Sequence, residues 1–188
     1  MVSHVGRLLV ATPLIADPTF ERTVVLLLAH GAEGAFGVVL NRPSDTSVEK
    51  VVPAWASAAQ APGVVFVGGP VAPDTLLGLG QPDARLAEGA TLVAGGCGTV
   101  DLRADPDDPD DPDVPTSRWA AVRLFAGSAG WAAGQLEDEL AEGAWWPVDA
   151  CDGDALTTDP DRLWPMVLRR QRGEVAWFAN HPSDPSAN

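Results

Sequence analysis

Apolar residues in this chain come in short unbroken runs rather than in helical stripes. Residues 8–11 are apolar in a row, residues 24–29 likewise, and residues 35–40 and 63–67 are built from Ala, Val, Leu, Phe and Gly. A strand with one wet face alternates, whereas one covered on both faces does not. The pattern therefore predicts buried strands at 23–29 and 63–67 and further strands at 7–11, 35–40, 120–126 and 145–150. Weaker strands fall at 76–79 and 91–94, the latter followed by a Gly95-Gly96-Cys97-Gly98 turn. Gly31-Ala32-Glu33-Gly34 reads as a hairpin or bulged connection, and Pro43, which cannot donate to a ladder, stops the strand before it.

Helical signals are fewer. Thr46-Ser47-Val48-Glu49 has the spacing of a capping box, opening a helix to about Gln60 that Pro53 kinks or shortens. Residues 131–142 place Leu136 and Leu140 on one face, with Gly143 as the C-terminal cap. Asp159-Pro160 opens a third helix to about Arg172, disturbed early by Pro165. Several apolar strands mixed with three helices predict an α/β or α+β fold with helices covering a mixed sheet. No internal repeat is visible.

Length and charge narrow the picture. A chain of 188 residues predicts one domain over 1–188 with a substantial core. Residues 101–113 hold seven Asp and one Arg, yet without them the net charge of −14 would still be strongly negative. Such a field opposes phosphate backbones and anionic lipid. No helix-turn-helix with a basic recognition helix is present. The best basic cluster, Arg169-Arg170-Gln171-Arg172, sits where cations suit a helix end, so direct nucleic-acid contact is not expected. The Asp- and Pro-rich stretch 101–115 reads as a solvated loop. It lacks the spacing of a calcium loop. The segment from about 181 reads as a flexible tail. No apolar run approaches the length of a membrane span, and no secretory signal is evident at the first residues. Cys97 and Cys151 are too few and too far apart for a zinc site or a disulfide framework. The expectation is a cytoplasmic protein without metal or cofactor, its two thiols reduced.

Candidate chemistry concentrates between residues 17 and 43. Arg22, His30, Asn41 and Arg42 are polar residues at the ends of two neighbouring predicted strands. Sharing one sheet end, they would form a cationic, hydrogen-bonding cluster suited to an anionic or carbonyl ligand. Alternatively, Asn41-Arg42-Pro43 satisfies a turn and His30 bonds local backbone. Gly68-Gly69-Pro70 either presents N–H groups to an anion or lets two backbones meet closely. Ala126-Gly127-Ser128-Ala129-Gly130, between a predicted strand and a predicted helix, resembles a nucleophile elbow with Ser128 as nucleophile and His181 in the right chain order. Gln135 and Glu139 share one face of the following helix, and Gln135 is the residue that packing explains least. Cys97 reads as a small buried residue.

Three stretches together carry a family resemblance. They are residues 17–43 from Asp17-Pro18-Thr19-Phe20-Glu21-Arg22 through His30 to Asn41-Arg42-Pro43, then Gly68-Gly69-Pro70-Val71, then Gly127-Ser128-Ala129-Gly130-Trp131 with Gly134-Gln135-Leu136-Glu137. The chain resembles the YqgE/AlgH family from about Gly6 to Gly173, departing from it at Ser128, where the family has Tyr. The resemblance implies an α+β fold, a compact mixed αβ sandwich, and a non-enzymatic binding protein with a regulatory role like that ascribed to such proteins in transcription. Its action would run through a protein partner or small anionic ligand, with Arg22, His30, Asn41, Arg42 and Gln135 as binding residues and no catalytic residue. The competing reading is a hydrolase or transferase with a His30, Asn41 and Arg42 pocket or a Ser128 nucleophile.

Overall fold

The computed structural model describes residues 3–82, 92–103 and 119–180. Most of the predicted tail, and of the acidic loop all but Asp101–Arg103, lies outside them. Ten strands form one connected sheet: β1 (Arg7–Ala11), β2 (Val24–Gly31), β3 (Gly34–Val39), β4 (Pro43–Ser47), β5 (Val64–Val67), β6 (Val71–Pro82), β7 (Leu92–Ala94), β8 (Cys97–Val100), β9 (Trp119–Ala132) and β10 (Trp145–Asp149). The main path runs β10-β1-β2-β3-β9-β6-β8-β7, with β4 and β5 as a side branch on β9. Every pairing between these strands is antiparallel except β5 with β9. The sheet dominates the α+β architecture, and the helices are short: α1 (Val48–Val51), α2 (Gln135–Ala141) and α3 (Leu163–Arg169).

The unbroken apolar runs do lie between two covered faces. Alternate residues of β1 and β2 separate cleanly: Leu8, Val10, Val24 and Leu26 pack toward α3, while Leu9, Ala11, Val25 and Leu27 pack toward α2. A seven-residue helix such as α3 is not stable in water on its own. Leu163, Trp164, Val167 and Leu168 are buried on the sheet, and at about 2 kcal/mol per side chain that burial holds the helix in place. Pro165 falls in the first turn, where its missing N–H has no intrahelical acceptor to lose.

β9 is fourteen residues long and belongs to both halves of the sheet. Its C-terminal part pairs with β3, Gly34 opposite Ala132 and Gly37 opposite Ala129. Its N-terminal part pairs with β6 on one edge and β5 on the other. Where the halves meet, the Gly68-Gly69 turn crosses β9 at Gly127. A Cβ on Gly68 would lie 2.3 Å from the Gly127 carbonyl oxygen, and one on Gly127 would lie 2.4 Å from that of Gly69. Gly69 and Gly127 also have φ of +147° and +70°. The glycines thus serve close backbone approach, the structural one of the two readings. Beyond the turn, β6 bulges: Val71 opposes Ser128 and Leu76 opposes Ala126, so Ala72–Thr75 arch over Gly127.

Some local expectations change. Thr46 and Ser47 end β4, which pairs with β5, and α1 has no side-chain cap. The edge position of β4 explains why Pro43 begins a strand instead of only ending one. The turn at Gly95-Gly96, φ +58° and +71°, is a tight hairpin whose second arm is β8. The first helix shrinks to α1 followed by a 3-10 segment, Pro53–Ala58, as Pro53 dictates. Arg123 in mid-β9 is 1% exposed, with Cζ 4.2 Å from the Phe66 ring centre. It donates to the carbonyls of Ala61 at 2.7 Å and Thr157 at 2.6 Å, tying two loops to the sheet. Burial pushes the guanidinium down to about 10.

Gly127→Ala combines backbone strain with a collision at Gly69. It is expected to cost about 3 kcal/mol, read as a lowered urea midpoint with an unchanged m-value.

Candidate functional site

Asn41 lies two residues past the end of β3 and is 4% exposed. Its Oδ1 accepts from the Val24 N–H at 3.0 Å, and its Nδ2 donates to the Arg22 carbonyl at 2.9 Å. Both bonds hold the approach to β2, with Arg22 at a φ of +53°. Arg22 then lays its guanidinium over Trp164 of α3, Cζ 4.2 Å from the ring centre. Trp164 is itself fixed by a 2.9 Å bond from its indole N–H to the Ala11 carbonyl. Arg42 donates to the Glu21 carbonyl. Burial lowers its pKa, while Glu21 and Asp161 act in the opposite sense. These residues line an open cleft of about 320 Å³ with half-buried Arg22 and Arg42, buried Asn41 and Trp164, and exposed Glu21 and Asp161.

His30 is elsewhere. β2 and β3 are antiparallel, with Val25 opposite Val39 and His30 opposite Ala35. The end of one strand is therefore beside the start of the other, and six residues of strand, about 20 Å, separate His30 from the level of Val24. The expected cluster splits: Arg22, Asn41 and Arg42 meet, and His30 does not join them. A His30, Asn41 and Arg42 catalytic pocket is thus ruled out by strand direction.

At its own end His30 is tightly held, its side chain 1% exposed. Its Nδ1 accepts from the His4 N–H at 3.1 Å, so the ring proton resides on Nε2, which donates to Glu137 Oε1 at 2.9 Å. The His4 ring stacks on it, centroids 5.6 Å apart. The pKa of His4 falls below its ordinary 6.5 through burial first, then through Arg7 and His30, against Glu137. That of Glu137 is lowered by its own backbone N–H and by His30. Gln135 sits at the same end, where it accepts from the Ala132 N–H at 3.0 Å and donates to Glu139 Oε1 at 3.0 Å. The other oxygen of Glu139 takes the indole N–H of Trp131 at 2.8 Å and of Trp145 at 2.7 Å. Gln135 and Glu139 thus fasten α2 to β9 and β10.

Ser128 lies inside β9, not on a strand-to-helix turn, so the nucleophile elbow is absent; His181 is outside the described residues. Cys97 is buried, donates to the Ala94 carbonyl at 3.0 Å, and has its pKa raised by desolvation. Among the described residues no group of His, Cys, Asp and Glu could hold a metal ion, and no helix is long and apolar enough to cross a membrane. Glu21, Asp161 and Trp164 are the cleft residues that sequence reasoning missed. No local signal marks Asp161 or Trp164, because their approach to Arg22 and Arg42 is tertiary.

Comparison with known proteins places this geometry in a family. The AlgH-like family model matches residues 8–176. A UPF0301 protein of Streptomyces coelicolor is 51% identical, covering 99% of this chain and 96% of that protein. One from Streptomyces avermitilis is 50% identical with the same coverage. A crystal structure from Corynebacterium diphtheriae is similar at a TM-score of 0.83 and 31% identity, over 95% of this chain and 93% of that one. The solution structure of AlgH from Pseudomonas aeruginosa is similar at a TM-score of 0.65 and 25% identity, over 98% of each.

Asn41→Ala strands two backbone groups and is expected to destabilise by about 3 kcal/mol, measurable by urea unfolding. His4 makes a pH-dependent contribution. Its folded pKa is depressed, so the unfolded chain takes up the proton first. Stability is complete above about 6.5 and is lost as pH falls through the folded value. His4→Ala is expected to flatten the acid side of the plot of unfolding midpoint against pH.

Proposed function

The chain belongs to the AlgH-like family, and from that premise we propose that it is a non-enzymatic binding protein whose ligand is a small anion held in the Arg22 and Arg42 cleft. One observation carries the reading: two half-buried guanidiniums, one stacked on an indole, border a cleft of about 320 Å³. A carboxylate or phosphate group suits such a pair, since a planar guanidinium can donate two parallel bonds to it. The carboxylates at the cleft, Glu21 and Asp161, are exposed, so water and salt weaken their repulsion more than they weaken the attraction of the half-buried cations. Asn41 positions Arg22 through backbone and spends both its polar groups doing so.

Among the described residues that line the cleft, no Ser, Cys, Thr, Lys or His nucleophile stands beside Glu21 or Asp161, which favours binding over turnover. The cleft joins the approach to β2, the exit from β3 and α3, so an occupied site changes the surface these elements present. A regulatory role through a protein partner follows from that change, without contact to nucleic acid.

Calorimetric titration with inorganic phosphate and with malonate at low salt tests this. Saturable binding is expected, weakened at least tenfold in Arg42→Met, with the free energy of unfolding altered by no more than about 1 kcal/mol. Equal binding by wild type and Arg42→Met contradicts the reading.

A further inference from the structure

A second cavity of about 440 Å³ opens against β6, β8 and β9 and shares no lining residue with the arginine cleft. Its walls include Phe36, Val71, Leu76, Leu77 and Val100, with Ser128 among them. It owes its shape to the bulge in β6: with Ala72–Thr75 arched over Gly127, the side chains that a regular ladder would interpose there are displaced. Val71, at the foot of the arch, is left 49% exposed although it is apolar. A cavity of this size, mostly apolar with a few hydroxyls, has the make-up of a small-molecule site.

Ser128 supplies the second observation. It is 7% exposed, and its hydroxyl reaches the Val71 carbonyl at 3.5 Å, too long for a bond that satisfies a buried donor. A guest with its own hydroxyl would complete it. Among the described residues none that lines the cavity is charged, and Asp74 on the arch, like the net charge of −14, disfavours an anionic guest.

We propose that this cavity is a binding site for an uncharged, mainly apolar small molecule bearing one hydroxyl group, which bonds to Ser128 while its hydrocarbon part packs among Phe36, Leu77 and Val100. The site is independent of the arginine cleft and stands whether or not that cleft binds anions.

The test uses the full chain and fluorescence titration with 1-naphthol, compared with 1-naphthoate. Saturable one-to-one binding of 1-naphthol is expected, with the carboxylate at least tenfold weaker. Ser128→Ala should weaken 1-naphthol about fivefold, the worth of one hydrogen bond. Ser128→Tyr fills the cavity and should abolish binding. Should that variant unfold, Thr99→Trp, at an exposed lining position, blocks the cavity in its place. Arg42→Met should bind 1-naphthol as wild type does. Absence of saturable binding, equal binding of the carboxylate, or binding undiminished by a folded cavity-filling variant overturns the proposal.

Discussion

The contact on which the rest of this structure depends is the crossing of the Gly68-Gly69 turn over Gly127. Two backbones meet there at a distance that leaves no room for a Cβ on either side. The Gly68 N–H donates to the Ala126 carbonyl, and its carbonyl accepts from the Val39 N–H, both at 2.8 Å. One residue thereby joins β9 to the end of β3. Because the turn is held, β9 can leave its pairing with β5 and take up β3, and one strand can serve both halves of the sheet. The bulge in β6 and the apolar cavity beneath it are consequences of the same crossing.

Polar residues of the signature block divide by what they hold. Asn41, His30 and Gln135 each spend their polar groups on partners inside the protein: the start of β2, the first described residues and α2, and the end of β9. Arg22 and Arg42 are placed by this scaffold so that their guanidiniums border open space. The antiparallel direction of β2 and β3 puts His30 and Gln135 at one end of the hairpin and Asn41 with Arg22 and Arg42 at the other, which separates the arginine cleft from the stacked pair of His4 and His30.

Much of this was readable in the residues. Apolar runs without alternation marked β2 as doubly covered and β5 as buried, and Gly143 marked the end of α2, where its φ is +77°. The glycines at 68 and 69 announced a close approach. Other features left no local trace. β4 was hidden because its residues, Pro-Ser-Asp-Thr-Ser, are stabilised by one edge pairing and not by propensity. The length of β9 was hidden by Gly127 and Gly130, which look like loop residues; Gly127 is a site of close backbone contact and Gly130 pairs with Phe36 in the ladder. The cleft depends on Trp164 lying under Arg22, a pairing 142 positions apart in the chain. Arg123, a charge inside a strand, is tolerable only because two loop carbonyls and an aromatic face receive it.

The proposal that the arginine cleft, and not the His30 end of the β2–β3 hairpin, takes an anion is tested most directly by NMR mapping of the wild-type protein with phosphate. The account predicts that amide and guanidinium signals shift at Glu21, Arg22, Arg42, Asp161 and Trp164, while those of His4, His30, Gln135 and Glu137 stay in place. Shifts centred on His30 and Glu137, with the arginine cleft silent, would contradict it.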